Sequence, residues 1–132
     1  MRLLLDTHIL LWAATWTQDG RSPLPAAAAG LIEDQTNEIL FSVASVWEIA
    51  IKRALKRTTF SLDPAWFRQR LLRNNYQELG ITGPHAIAVA ALPPLHEDPF
   101  DRLLVAQAQV EGLTLLTADD ALSRYGSAVR RV

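Results

Sequence analysis

Three short runs of unbroken apolar residues constrain this chain more than any other feature: "RLLLD" at the start, "EILFS" from Glu38 and "LTLLT" from Leu113. A strand with one wet face alternates apolar and polar residues, whereas a continuous apolar run belongs to a strand covered on both faces. Each run leads into a segment of helical character. "THILLWAA" follows the first, "VASVWEIAIKRALKR" the second and "DDALSRYG" the third. Parallel strands need a crossover, and a helix between them supplies it. The pattern therefore predicts an α/β chain, a single α/β/α sandwich with a central parallel sheet.

The remaining segments fit that plan. "PAAAAGLIED" reads as a helix despite its internal glycine, and "TWTQDGRSPLP" before it as a loop. "DPAWFRQRLLRNN" and "DPFDRLLVAQAQVEG" both open with Asp-Pro, which predicts Asp63 and Asp98 as N-caps with proline at the first helical position. The second of these helices should stop at Gly112. "YQELGIT" is a weaker third strand, "GPHAIAVAALPP" a short helix stopped by Pro93 and Pro94, and "AVRRV" a last strand. Nothing in the sequence divides the 132 residues, so 1–132 is expected to be one domain.

Composition closes off several classes. Hydrophobic residues make up 49% and charged residues 20%, as in a soluble globular protein. No apolar run approaches the ~18 residues of a membrane span. The start "MRLLLDTHILLW" is interrupted by Asp6 and His8, and no small-residue cleavage site follows, so a signal peptide is not expected there. The chain has no cysteine, which excludes disulfides and thiolate metal sites and makes a cytoplasmic location the expectation. A net charge of -1 argues against bulk coating of nucleic acid. The charge is uneven, however. Lys52 to Arg73 holds seven bases and one acid, and Glu97 to Asp120 holds six acids and one base. The basic stretch either contacts a polyanion backbone or is a solvated helical surface.

The acids are placed unusually. Ligands of open parallel sheets bind beyond the carboxyl ends of the strands. Asp6 stands there after the first strand and Asp119 after "LTLLT". Glu48 lies one to two turns into the helix after "EILFS", and Asp98 and Asp101 lie in the first turn of the helix before "LTLLT". Each has a simple alternative as a helix cap. Asp6 suits the helix starting at Thr7, Ser45 with Glu48 and Thr117 with Asp120 form capping-box spacings, and capping is the first choice for Asp98 and Asp120. Asp19, Asp34, Glu38 and Glu78 read as solvated surface.

Helical phase separates these cases. Asp101 shares a stripe with Leu104, Val105 and Ala108, and Glu48 shares one with Ala44, Ile51 and Leu55. A carboxylate on a core-facing stripe is costly unless paired or bound to a cation. Arg102 is the only base between Arg73 and Arg124, so a metal is the cheaper explanation. Carboxylates ~5 Å apart repel by roughly 3 kcal/mol per pair at an effective dielectric near ~20. Such a cluster takes up protons or a hard divalent ion, Mg²⁺ or Mn²⁺.

The segments "LLLDTHILLW", "SVASVWEIAIK", "HEDPFDRLLVAQA" and "LTLLTADDALSRYG", in this order and spacing, resemble the PIN-domain nucleases, and most closely the VapC-like toxins of bacterial toxin–antitoxin pairs. The resemblance runs over nearly the whole chain. It implies an α/β/α fold, an acidic pocket binding Mg²⁺ or Mn²⁺, hydrolysis of single-stranded or loop RNA, homodimerisation, and silencing by a cognate antitoxin protein. It matches Asp6, Glu48, Asp101 and Asp119 to the four family acids, as catalytic and metal-holding residues. Asp98 is either a ligand through water or only a cap. Thr7 and Thr117 fall where the family often carries a hydroxyl beside the acids.

Other classes fit poorly. A receiver domain needs a lysine late in the chain, and this sequence has only Lys52 and Lys56. A haloacid-type phosphatase needs Asp-x-Asp after its first strand, where Thr7 and His8 follow Asp6. A PIN-like module that binds RNA or protein without cutting is the stronger rival, and the complete acid set argues against it. His8, His85 and His96 share no ligand spacing and read as surface or packing residues. Trp47, Trp66 and Phe67 read as core or dimer contacts.

Overall fold

The structure, a computed structural model, describes residues 1–15, 23–55 and 62–132. Among these, five strands form one parallel sheet: β1 (Arg2–Leu5), β2 (Glu38–Ser42), β3 (Gln77–Leu79), β4 (Thr114–Thr117) and β5 (Val129–Arg131). Their spatial order is β3-β2-β1-β4-β5. The chain thus winds outward from β1 to β3, then crosses back to lay β4 on the other side of β1. β1 is the central strand, with Leu3 in register with Ile39 on one side and Thr114 on the other.

The unbroken apolar runs have the expected cause. Leu3, Leu4 and Leu5 are all fully buried, but they do not share a face. Leu3 and Leu5 join Phe41, Leu116, Ile9, Leu10, Ile49, Phe67 and Leu71 in one core. Leu4 joins Leu40, Leu115, Leu104, Val105 and Leu122 in the other. The first core is roofed by α1 (Thr7–Ala14), α2 (Ala26–Glu33), α3 (Val43–Ala54) and α4 (Pro64–Arg73). The second lies under α6 (Pro99–Glu111) and α7 (Asp120–Ser123), with Ala88 and Val89 of α5 (Gly83–Ala90) packed against it. Burying each such leucine contributes roughly 1.5–3 kcal/mol before the entropy of ordering the chain is charged against it.

The predicted helix ends hold at the Asp-Pro starts. Asp63 caps α4 through the Ala65 N–H at 3.0 Å. Asp98 caps α6 through the Phe100 and Asp101 N–H groups at 2.8 and 3.4 Å. α6 ends at Gly112, whose φ of 66° is the left-handed conformation that favours glycine, and Leu113 N–H returns to Ala108 O at 2.9 Å. Two capping-box readings fail. β2 runs straight into α3, so Ser42 is the cap, accepting from Ala44 N–H, and Ser45 lies inside the helix. Asp119, not Asp120, caps α7, because the extended backbone of Asp119 (φ -88°, ψ 115°) is the turn out of β4. Asp120 instead pairs with Arg131 at 2.7 Å.

Other expectations on surface and core divide. Phe67 is fully buried, whereas Trp47 and Trp66 are 52% and 45% exposed, so the core reading fails for both tryptophans. Trp47 meets Phe100 edge-on at 5.0 Å. The Val43–Arg57 helix is observed as far as Ala54, and Lys56 and Arg57 lie outside the described residues. Asp19 does too. Asp34, Glu38 and Glu78 are exposed, the last two paired with Arg2 and Arg68. No helix among the described residues is long and apolar enough to cross a membrane.

Candidate functional site

The strand order reverses between β1 and β4, and ligands of such sheets bind beyond the carboxyl ends of the strands at that point. Asp6 follows β1 directly. Its N–H continues the ladder to Leu116 O at 3.1 Å, and its Oδ1 caps α1 through Ile9 N–H at 2.9 Å. Its Oδ2 accepts the Thr117 hydroxyl at 2.5 Å. Thr117 Oγ1 in turn accepts the Asp119 N–H at 3.0 Å, so one hydroxyl ties the ends of β1 and β4 together. Asp6 is therefore both a cap and a member of the cluster. Burial raises its carboxyl above the ordinary range, against the lowering effect of Thr117 and Ile9 N–H.

Glu48 enters from α3 and is only 2% exposed. Thr7 Oγ1 donates to its Oε1 at 2.7 Å and lies 3.0 Å from Ser45 Oγ. Lys52, one turn on, donates to its Oε2 at 2.7 Å. The scarcity of bases near the acids, inferred from sequence, thus does not hold for Glu48. The partner was visible as a Glu-Lys pair at i,i+4. Pairing also thins the basic stretch as a polyanion surface: besides Lys52, Arg53 faces Asp63 at 3.5 Å and Arg68 grips Glu78.

Asp101 stands in the first turn of α6 on the side facing the sheet. Burial pushes its carboxyl up to about 7, and the negative charges of Asp98, Asp6 and Glu48 push the same way, with His96 opposing. Asp101, Asp98, Asp6 and Glu48 thus share one electrostatic environment although they come from the start of α6, the end of β1 and the body of α3. Asp98 has its Oδ1 engaged as the α6 cap.

Asp119 completes the group. Partial burial raises its carboxyl, but Ala121 N–H, the His96 hydrogen bond and the positive charge that His96 and His8 carry when protonated in acid outweigh this and hold it below the ordinary range. His96 is the residue that sequence reasoning missed. Its Nε2 lies 3.0 Å from Asp119 Oδ2 and 3.6 Å from Asp101 Oδ2. Ligand atoms of His96, Asp101 and Asp119 all fall within 4.8 Å of one another. The three histidines share no ligand spacing in the sequence, but spacing along one element says nothing about a side chain on a loop. The available signal was its place two residues before the Asp98 cap. His85 is buried, with Thr82 N–H donating to its Nδ1 at 3.0 Å and Glu111 3.1 Å from its Nε2; exposed His8 tilts against Trp12. Both agree with packing and surface roles.

A profile of the PIN domain matches residues 3–128. The chain belongs to the PIN domain family. Ribonuclease VapC22 of Mycobacterium tuberculosis (strain ATCC 25618 / H37Rv) is 31% identical over 125 residues, spanning 93% of this chain and 91% of that protein. VapBC2 of Rickettsia felis, solved bound to a DNA fragment from their promoter, superposes with a TM-score of 0.68 at 14% identity, over 100% of this chain and 99% of that one. A toxin–antitoxin complex from Klebsiella pneumoniae gives 0.64 at 19% identity, over 97% and 95%. At such identities the solved structures establish the PIN fold.

The donor set of this PIN domain suits a hard divalent cation: carboxylate oxygens, no thiolate, and one carboxyl that is half protonated near neutrality. Among the described residues no buried side-chain polar atom lacks a partner. Thr7 and Lys52 donate to Glu48, Thr117 to Asp6 and His96 to Asp119, so each of these carboxylates is held by a donor of its own.

Proposed function

We propose that this PIN-domain chain, one domain over 1–132, is an endoribonuclease. It hydrolyses RNA phosphodiesters and serves as the toxin of a toxin–antitoxin pair. Asp6, Glu48, Asp101 and Asp119 hold Mg²⁺ or Mn²⁺, with Thr7 and Thr117 orienting Glu48 and Asp6. Asp98 acts mainly as the α6 cap. The observation that carries the reading is the gathering of Asp6, Glu48, Asp101 and Asp119 beyond the carboxyl ends of β1 and β4, with the Asp101 carboxyl lifted to about 7 beside the charges of Asp98, Asp6 and Glu48. A fold with no use for these acids together would have kept them apart or neutralised them. The likeness to ribonuclease VapC22 supports RNA as the substrate.

A bound divalent cation supplies a nucleophilic water at neutral pH and stabilises charge on the phosphate and leaving oxygens. The protein's part is to hold the carboxylates in place. Asp6 is fixed by two donors and Glu48 by a hydroxyl and an ammonium, and with Asp101 and Asp119 they are the carboxylates that would hold the cation.

Protein partners are part of the proposal: a cognate antitoxin and a second copy of the chain. A groove of about 410 Å³ beside the site, lined by Ile51, Leu55, Pro99 and Phe100 among others, supports a protein contact there. So do exposed Trp47 and Leu55. The deciding experiment incubates purified chain with total cellular RNA in Mg²⁺, Mn²⁺ or EDTA and maps the new 5′ ends. Cleavage at defined positions only with metal is expected, and equal cleavage in EDTA would sink the metal-centre reading.

A further inference from the structure

Each buried acid of the cluster has its own holder, and the exposed one has His96. Asp6 is held by Thr117, and Glu48 by Thr7 and Lys52. Asp119 is different: its side chain is 44% exposed, and it sits on the turn between β4 and the four-residue α7. Its Oδ1 already accepts Ala121 N–H at 2.9 Å, which leaves Oδ2 to be directed.

The tautomer of His96 follows from its backbone contact. Asp98 N–H donates to His96 Nδ1 at 3.0 Å, so Nδ1 carries a lone pair and the proton of the neutral ring is on Nε2. Nε2 is the atom 3.0 Å from Asp119 Oδ2. In this tautomer Nε2 donates a hydrogen bond and has no lone pair to offer a cation. The ring is not a metal ligand here, although its distances alone would allow one. Its loop is tied down as well: the Arg102 guanidinium donates to Pro93 O at 3.3 Å and to His96 O at 3.5 Å.

We propose that His96 is a positioning residue that acts through Asp119, its Nε2–H turning that carboxylate toward Asp101 so that the last acid is in place before a cation binds. The inference rests on the acids forming a divalent-cation centre. Partners that orient ligating groups set metal affinity because they remove the cost of ordering the ligand at binding. His96 does for the exposed acid what the two threonines do for the buried ones.

Two measurements on the full chain test this. Long-range ¹H–¹⁵N spectra of the metal-free, ¹⁵N-labelled protein near neutral pH should show His96 as the Nε2–H tautomer, and an Nδ1–H tautomer overturns the proposal. Mn²⁺ titrations followed by the signal of the free ion then compare wild type, His96→Ala and His96→Gln. Alanine should weaken Mn²⁺ binding by roughly 10-fold or more, while glutamine, whose amide N–H reaches the Nε2 position, should stay within about threefold of wild type. Unchanged affinity in His96→Ala, or His96→Gln as weak as His96→Ala, refutes the positioning role. Mn²⁺ binding by the wild type separates the two ideas. If it takes up none, the metal-centre reading falls, while the tautomer still decides the His96–Asp119 bond by itself.

Discussion

Replacing Asp101 by asparagine should stabilise the metal-free protein at alkaline pH and leave it nearly unchanged in acid. The carboxyl titrates at about 7 in the folded chain, against ~3.9 for an unfolded aspartate. The folded state therefore binds the proton more tightly, and between those values it carries more protons than the unfolded chain. Stability from this group is complete below the unfolded pKa and is lost as pH rises through about 7. A difference of ~3 units at ~1.36 kcal/mol each gives an upper figure on the order of 4 kcal/mol. The Asp101 side chain is 19% exposed, so solvent trims this only in part; about 2–4 kcal/mol is the working range. With an unfolding entropy of ~2.1 cal/mol/K per residue, that is a gain in Tm on the order of 10 °C for Asp101→Asn near pH ~8. Near pH ~4 the two proteins should melt within about 1 kcal/mol of each other, because wild-type Asp101 is then protonated and resembles the amide. The assay is a set of thermal melts in EDTA across this pH range. Saturating Mg²⁺ should then raise the wild-type Tm more than that of the variant, since the variant has lost a ligand. Parallel Tm–pH curves for the two proteins would show that Asp101 titrates normally, and the argument for a strained acid cluster would be refuted.

The neighbouring acid should behave otherwise. Asp98→Ala loses the α6 cap and about 1 kcal/mol of stability, whereas Asp98→Asn keeps most of both stability and cleavage, because asparagine caps almost as well. Melting curves and single-turnover rates decide this, and an Asp98→Asn protein as inactive as Asp101→Asn at unchanged stability would make Asp98 a direct ligand. Lys52→Met leaves the Glu48 carboxylate, 2% exposed, with Thr7 but without its ammonium partner. It should cost about 1–3 kcal/mol in EDTA and much less in saturating Mn²⁺, as the cation takes over the compensating charge. A loss that Mn²⁺ does not narrow would show that Glu48 does not face the cation.

The elements of this fold were legible because their signals are local. Backbone groups at a helix start must find partners within a few residues, so Asp63-Pro64 and Asp98-Pro99 announce their helices in any context. Leu3, Leu4 and Leu5 announce a strand covered on both faces because side-chain direction alternates along it. Helical phase placed Asp101 and Glu48 inward, and Glu48 is buried. Of the stripe assigned to Glu48, however, Leu55 is 62% exposed, and the buried side of α3 runs through Ala44, Ser45 and Ile49 instead. The same locality misled where two adjacent residues could serve. Nothing near Thr117 says whether Asp119 or Asp120 will cap α7, because the choice depends on where β4 stops pairing with its neighbours.

What the sequence alone determined is thus the set of elements, the parallel sheet and the acids that point inward from it. Tertiary structure decided the order β3-β2-β1-β4-β5, and with it which strand ends lie side by side. It brought Thr117 to Asp6 across 111 residues and His96 to Asp119 across 23. Neither contact leaves a periodic or spacing signature. Each is a meeting of two side chains whose positions are set by helices and strands packing elsewhere, so the bond exists only once both cores have closed and fixed its two ends.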